Sequence, residues 1–124
     1  MAEILFWVYL TNSVLLINHE IDSAYWQEWE LFKLPGGITG FLIVHFPALF
    51  LVFYGLVLVF QRAAAGLMFS LGLSFGGLFA FTIHTYFIQR GRHEFKAPIS
   101  QFILIGTLIV SLIQAGITIY ILAA

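Results

Sequence analysis

The stretch that decides the fold is residues 38–60, ITGFLIVHFPALFLVFYGLVLVF. It contains no Asp, Glu, Lys or Arg, and a helix of about 20 apolar residues is long enough to cross the hydrocarbon core of a bilayer. Outward from it, three further apolar runs cover about residues 4–18, 67–89 and 99–122. The pattern predicts four membrane spans and leaves no room for a soluble domain, so we expect residues 1–124 to form one transmembrane domain.

The composition indicates the same class of protein. Hydrophobic residues make up 61% of the chain and charged residues 9%, whereas soluble domains are about 45–50% apolar and about 25% charged. Cysteine is absent, which excludes disulfides and thiolate metal sites. The net charge of −1 gives no case for nucleic-acid binding. We therefore predict an all-α integral membrane four-helix bundle whose surroundings are membrane lipid.

Turn signals divide the four spans. The run at 4–18 is short for a full crossing, and we expect it to continue to about residue 33 as a helix extension or a short interfacial helix. The Pro-Gly-Gly sequence at 35–37 should end that element. A short hairpin at 61–66 makes the second and third spans antiparallel neighbours, and Pro47 should kink the second span.

One polar segment interrupts the apolar pattern, residues 18–30, NHEIDSAYWQEWE. In a four-span topology, the end of the first span meets the start of the second, the end of the third and the loop at 90–98. The same half of the molecule then holds all the histidines, His19, His45, His84 and His93. Ionisable groups at membrane depth are costly and mark functional sites. The convergence predicts a polar site at one membrane face.

Basic residues predict which face this is. Lys33, Arg90, Arg92 and Lys96 belong to the polar side, and Arg62 to the opposite side. Cytoplasmic loops carry the excess of Lys and Arg. We therefore expect a protein of the bacterial inner membrane with the polar cluster on the cytoplasmic side and both termini outside.

Four residues are the candidate catalytic groups. His19 and Asp22 are three residues apart, so a helix places them on one face, where they would form an acid–base pair. His45 and His84 would approach from adjacent helices and complete the pocket. The same four residues could instead hold a divalent metal ion inside the bundle. A haem is disfavoured, because nothing in the sequence would hold a porphyrin edge.

Each candidate also has a structural interpretation. His45 and His84 could be neutral imidazoles bonded to a hydroxyl or to the carbonyl that Pro47 leaves without a helical partner. Glu20 and Trp26 would position a substrate, although Trp26 also suits a membrane-interface aromatic. The His93-Glu94 loop suits contact with solvent or lipid headgroups.

Polar and small residues form stripes along the helices. Those on the first span, expected to face inward, are Thr11, Asn18 and Asp22, and Asn12, His19 and Trp26. The third span has a small-residue face for close packing, Ser70, Ser74, Gly77 and Ala80, ending at His84. The fourth has a polar stripe suited to a bundle interior, Ser100, Thr107, Ser111, Gln114 and Thr118.

Residues 18–26, NHEIDSAYW, followed by Leu34-Pro-Gly-Gly, resemble a family of small bacterial four-helix membrane proteins of unknown function. The resemblance covers essentially the whole chain and implies the same four-helix fold. The step from His19 to Asp22 is also similar to a His-x-x-Glu-Glu signature of another membrane family, although Ser23 replaces the second carboxylate. A more distant similarity to emopamil-binding and sigma-2-type bundles implies a sterol-like ligand in a membrane cavity, and assigns no residues here.

Three functions are consistent with these features. The first is a small membrane enzyme or ligand-binding protein that acts on a lipidic or isoprenoid-like molecule by acid–base or metal-assisted chemistry. The second is a non-catalytic subunit of a homo-oligomer or larger membrane complex, with the glycine and polar stripes as contact faces. The third is a small proton-coupled transporter, less favoured because no internal repeat is present.

Overall fold

The computed structural model describes residues 1–91 and 96–124, and within them the chain forms five helices. They are α1 (Ala2–Tyr25), α2 (Glu28–Leu31), α3 (Gly37–Phe60), α4 (Ala64–Gln89) and α5 (Pro98–Ala123). All except the short α2 are long and apolar enough to cross a membrane. The predicted all-α, membrane-type bundle, with a short helix after the first span, is confirmed.

The four long helices pack as an antiparallel ring. α1 and α4 each pack against both α3 and α5, and α3 and α5 lie diagonally opposite each other. Near the start of α1, Tyr9 reaches Val52 towards the end of α3, and near the end of α1, Glu20 reaches His45 towards the start of α3. The end of α1, the start of α3 and the end of α4 therefore lie at the same end of the bundle.

Hydrogen bonds between buried side chains connect three of the helices. The Asn12 amide on α1 donates to Ser111 at 3.1 Å and to Gln114 at 2.8 Å on α5. The Gln114 amide donates to the backbone carbonyl and the hydroxyl of Ser70 on α4, both at 3.0 Å. Such interhelical bonds stabilise membrane proteins by about 0.6 kcal/mol each on average. The network mainly specifies the rotation and register of α1, α4 and α5.

The stripes predicted on α4 and α5 face the bundle interior, as expected, because all of their residues are buried. At Gly77 the two helices approach so closely that an added Cβ would overlap the Ser111 hydroxyl and meet Cγ2 of Thr107 at 3.0 Å. Both stripes are thus used for contacts within the chain.

The inward stripes predicted on α1 are only partly right. Asn12 and His19 are buried, but Thr11 and Asn18 are exposed on the outer surface. Each of these two side chains donates a hydrogen bond to the preceding turn of its own helix. Thr11 donates to the Trp7 carbonyl and Asn18 to the Val14 carbonyl, both at 2.8 Å. A short polar side chain can satisfy its hydrogen bonds on the preceding turn, so polarity alone does not show which way it faces.

α3 packs tightly at one end only. Of its residues just Gly55 and Val59 are buried, both in its second half. An added Cβ at Gly55 would overlap the Tyr9 hydroxyl and come within 2.9 Å of Phe69, so α1, α3 and α4 meet closely there. Pro47 lies inside the helix and has no N–H to bond the preceding turn. Beside the middle of α3, at Leu49 and Val52, the helices leave a cavity between them.

Candidate functional site

Two side chains from different elements form the centre of the site. His84, near the end of α4, places Nε2 3.2 Å from Oε1 of Glu28 at the start of α2, and both side chains are largely shielded, with 2% and 13% of their surface exposed. The other ring nitrogen, Nδ1, lies 2.7 Å from the Ala80 carbonyl. A carbonyl only accepts, so Nδ1 carries a proton and Nε2 faces the carboxylate.

His19 joins this pair from α1. Its ring packs edge-on against the His84 ring with centroids 4.5 Å apart, and its Nε2 lies 3.5 Å from the Ser23 hydroxyl. One ligand-type atom from each of His19, Glu28 and His84 lies within 4.8 Å of the other two. We call these three residues the triad.

A chain reversal brings Glu28 into the triad. α1 ends at Tyr25, Gln27 adopts a left-handed backbone with φ 55, and α2 starts at Glu28. Leu31 then anchors α2 by packing with Leu104 in a buried apolar cluster. If α1 continued straight, Glu28 would lie about 13 Å beyond His19 along the helix axis. The reversal returns the carboxylate to the level of His19.

A second imidazole–carboxylate pair lies beside the triad. His45 on α3 places Nε2 2.5 Å from Oε2 of Glu20 on α1, and its Nδ1 lies 2.6 Å from the Phe41 carbonyl. The Phe41 ring stacks on the imidazole at 4.0 Å. His45 and His84 therefore have the same arrangement, with Nδ1 on the carbonyl four residues earlier and Nε2 on a Glu.

This arrangement needs a positive charge between each ring and its carboxylate. A neutral imidazole with its proton on Nδ1 presents a lone pair to a carboxylate that is acceptor-only when ionised. Two acceptors at hydrogen-bond distance repel unless a proton or a cation lies between them. The site is therefore built to hold protons or a cation at two neighbouring positions.

The neighbouring side chains change the pKa of Glu28. Burial alone would raise the pKa of Glu28, but the hydrogen bond and charge of His84, together with His19 and Ser23, lower the pKa below its ordinary value. Opposite charge and hydrogen bonds to the ionised form both favour a carboxylate. These neighbours therefore favour the ionised form of Glu28.

A cavity of about 230 Å³ opens onto the site between α1, α3 and α4. His19, Glu20, Glu28 and His84 lie at one end of it. The rest of the lining is mainly apolar, with Leu16, Leu49, Val52, Leu73, Phe79 and Ile83. Between Gly76 and His84 the cavity follows about 12 Å of the α4 axis.

An outward-facing groove of about 470 Å³ between α3 and α4 continues this cavity. Val52, Leu73 and Gly76 line both, and the groove extends past Gly72 to the exposed side chain of Met68. A Cβ added at Gly72 or Gly76 would meet no atom within 4 Å. The cavity and the groove therefore adjoin, with mainly apolar side chains between the polar end and the outer surface of the bundle.

The structure brings together some of the predicted site residues and separates others. His19 and His84 are in contact, while His45 pairs with Glu20. The sequence predicts that His19 pairs with Asp22, and Glu28 of α2 is the carboxylate that joins it in the triad. Asp22 instead accepts a bond of 3.0 Å from the indole nitrogen of Trp26.

Two further expectations concern partners. The imidazoles of His45 and His84 bond the carbonyls of Phe41 and Ala80, and neither of these is the carbonyl of Ile43 that Pro47 leaves without a helical partner. His93 lies outside the described residues. Sequence reasoning missed Glu28 as a site residue, and the only signal for it was that residues 27–37 cannot all continue one helix through Pro-Gly-Gly.

Comparison with known proteins assigns the chain to a family. No curated protein and no solved structure matches it. One family model, described as a family of unknown function (DUF6713), matches residues 5–121. That match covers nearly the whole chain and agrees with the resemblance to a four-helix family of unknown function. The protein therefore belongs to the DUF6713 family.

Proposed function

We propose that this protein binds an amphiphilic, lipid-like molecule, with the apolar chain in the cavity and groove between α3 and α4 and the polar end at the histidines and glutamates. One observation carries the proposal. The cavity has four ionisable side chains at one end, is apolar elsewhere, and continues into a groove on the outer surface. Ligand sites are typically apolar concavities with a few convergent polar groups.

The position of the groove supports entry from the bilayer. In a membrane the outer surface of α3 and α4 faces lipid tails, and a molecule already in the bilayer could slide its chain past Gly72 and Gly76 without crossing water. Glycine at both positions leaves the groove open. A chain that extends about 12 Å along α4 from Gly76 would place the polar end of the molecule at His84.

The polar end of the cavity supports a molecule that both donates and accepts hydrogen bonds. A hydroxyl could donate to Glu20 or Glu28 and accept from a protonated imidazole. Imidazole and carboxylate side chains are also the groups most used for general acid–base catalysis. The protein is thus either a membrane enzyme that acts on the polar end of the molecule, by acid–base or metal-assisted chemistry, or a binding protein for it.

The distribution of basic residues supports an orientation. Lys33 follows α2, and Arg90 and Lys96 lie between α4 and α5, all at the end of the bundle that holds the site, whereas Arg62 lies between α3 and α4 at the other end. By the positive-inside rule, the site faces the cytoplasm of a bacterial inner membrane and both termini lie outside.

A photoactivatable hexadecanol that carries a diazirine on its chain tests the proposal. The protein is reconstituted in lipid nanodiscs, irradiated with the probe and digested, and the labelled residues are located by mass spectrometry. We expect adducts to concentrate at Val52 and Leu73, relative to Ile109, which is exposed on α5 and lines neither the cavity nor the groove.

Filling the groove should remove this enrichment. Gly76→Leu would exclude about two methylenes of the probe, at about 0.8 kcal/mol each, which corresponds to roughly a tenfold loss of binding. Gly116→Leu is the matched control, because Gly116 is also an exposed helical glycine with nothing within 4 Å of an added Cβ. Equal labelling of Val52 and Ile109 in the unmodified protein, or equal loss in both variants, would overturn the proposal.

A further inference from the structure

We infer that His19, Glu28 and His84 form a binding site for one divalent transition-metal ion of the Zn²⁺ or Fe²⁺ type. The inference goes beyond the proposed function and does not require the amphiphile. Two imidazoles and one carboxylate are a ligand set used for catalytic zinc and for non-haem iron. The chain has no cysteine, so histidine and carboxylate are the ligands it can offer such ions.

The spacing of the triad fits an ion. Ligand atoms at about 2.0–2.1 Å from a tetrahedral zinc lie roughly 3.3 Å from one another. The His84 and Glu28 atoms are 3.2 Å apart, and the three ligand atoms lie within 4.8 Å of one another. A shift of up to about 1.5 Å at His19 would close the set.

The neighbouring pair gives an internal comparison. Nε2 of His45 and Oε2 of Glu20 are 2.5 Å apart, which is shorter than the roughly 3.3 Å expected between two ligand atoms of one tetrahedral zinc. The two pairs have the same pattern of Nδ1 contacts, yet differ in this distance. We assign the metal ion to the triad.

The surroundings of His84 match those of a metal ligand. Metal-binding histidines usually donate the other ring N–H to a carbonyl, a carboxylate or water, which sets the tautomer and the ring orientation. The Ala80 carbonyl accepts from Nδ1 of His84 at 2.7 Å and so directs Nε2 to the centre of the triad. The three ligands come from three different helices, α1, α2 and α4.

The coordination would be open on one side. Catalytic zinc sites have three protein ligands and leave a fourth position to water or substrate. All three triad residues line the cavity, so the fourth position would face the space in which we place the polar end of the amphiphile. An ion there would act on a hydroxyl or carbonyl of the bound molecule as a Lewis acid.

Zinc binding to the full-length protein in detergent tests the inference. The protein is stripped with a chelator, incubated with Zn²⁺, dialysed and analysed by mass spectrometry for metal per chain, and its affinity is measured by competition with a chelating dye. We expect one Zn²⁺ per chain. Glu28→Gln keeps the side-chain size and should weaken binding more than about 100-fold, the upper end of what the loss of an outer-shell partner costs.

His45→Ala and Asp22→Asn are the matched controls, because they remove an imidazole and a carboxylate close to the triad but outside it. Both should retain Zn²⁺ with unchanged stoichiometry. A substitution of the buried His84 could prevent folding. Glu28→Gln still tests the site in that case, because Glu28 lies in the short α2, in the connection between α1 and α3. Less than about one Zn²⁺ per ten chains in the unmodified protein, or equal loss in Glu28→Gln and Asp22→Asn, would overturn the site.

The two proposals can fail separately. Zn²⁺ binding is measured without the lipid probe, and labelling by the hexadecanol probe is measured on chelator-stripped protein. A labelled groove in a protein that binds no Zn²⁺ rejects the triad alone. Stoichiometric Zn²⁺ with no enrichment at Val52 rejects the amphiphile alone.

Discussion

Two adjacent glycines on α4 should respond in opposite ways to the same small change. Gly76 and Gly77 both lie in the middle of the helix, so Gly→Ala gives both the same gain in helix propensity, up to about 1 kcal/mol. Gly76 faces the open groove, where an added methyl group meets nothing within 4 Å. Gly77 faces α5, where an added methyl group would overlap the Ser111 hydroxyl. The pair therefore isolates packing from propensity.

The expected difference follows from the contacts at Gly77. Overpacking of a close helix contact costs about 1–3 kcal/mol. Ser111 cannot rotate away freely, because it hydrogen-bonds Asn12 at 3.1 Å, and a lost interhelical bond adds about 0.6 kcal/mol. We expect Gly77→Ala to be about 2–3 kcal/mol less stable than Gly76→Ala, with Gly76→Ala equal to or slightly more stable than the unmodified protein.

Reversible unfolding in mixed micelles measures this difference. Helicity is followed by circular dichroism as the mole fraction of denaturing detergent rises, and the free energies of the two variants are compared at the same fraction. Gly116→Ala on α5 is the reference, since an added Cβ there also meets nothing within 4 Å. Equal stabilities for Gly76→Ala and Gly77→Ala would refute the packing of α4 against α5 described above.

Four further substitutions have definite expectations. Gln114→Leu removes bonds to both α1 and α4 and should cost about 1–2 kcal/mol of unfolding free energy, whereas Asn18→Leu, which loses a bond only to its own helix, should be close to neutral in the same titration. Tyr9→Phe loses the bond that joins α1 to the backbone of α3 and should cost about 0.6 kcal/mol; an unchanged midpoint would contradict that bond. The Asp22 carboxylate accepts a hydrogen bond from the Trp26 indole, so Asp22→Asn should alter the fluorescence of Trp26. A spectrum identical to that of the unmodified protein would contradict this contact.

The sequence predicts the spans well because their signal is local and strong. A run such as residues 38–60 must be buried in protein or lipid whatever else the chain does. The buried stripes of α4 and α5 are predicted equally directly, because polar residues that recur at helical spacing mark one face of a helix. Thr11 shows the limit of that rule. A hydroxyl that bonds the preceding turn is satisfied on the outer surface, and spacing does not distinguish the two cases.

The site is less predictable because it depends on a turn. His19 and His84 could be placed at one end of the bundle from topology alone, and they are in contact in the structure. The carboxylate beside them could not, since Asp22 is the neighbour that helical spacing indicates and Glu28 is the one that the chain reversal brings back. Gln27 adopts a left-handed backbone. Glutamine rarely does so, and the residue type therefore does not indicate a turn at this position.

The most direct test of the central claim is the identity of the lipid that the protein retains. The unmodified protein, Gly76→Leu and Gly116→Leu are each extracted from their native membrane into polymer nanodiscs, purified, and compared by lipid mass spectrometry with the bulk membrane. The account predicts one lipid class enriched in the unmodified protein and in Gly116→Leu but depleted in Gly76→Leu. The same bulk-like lipid composition in all three would contradict it.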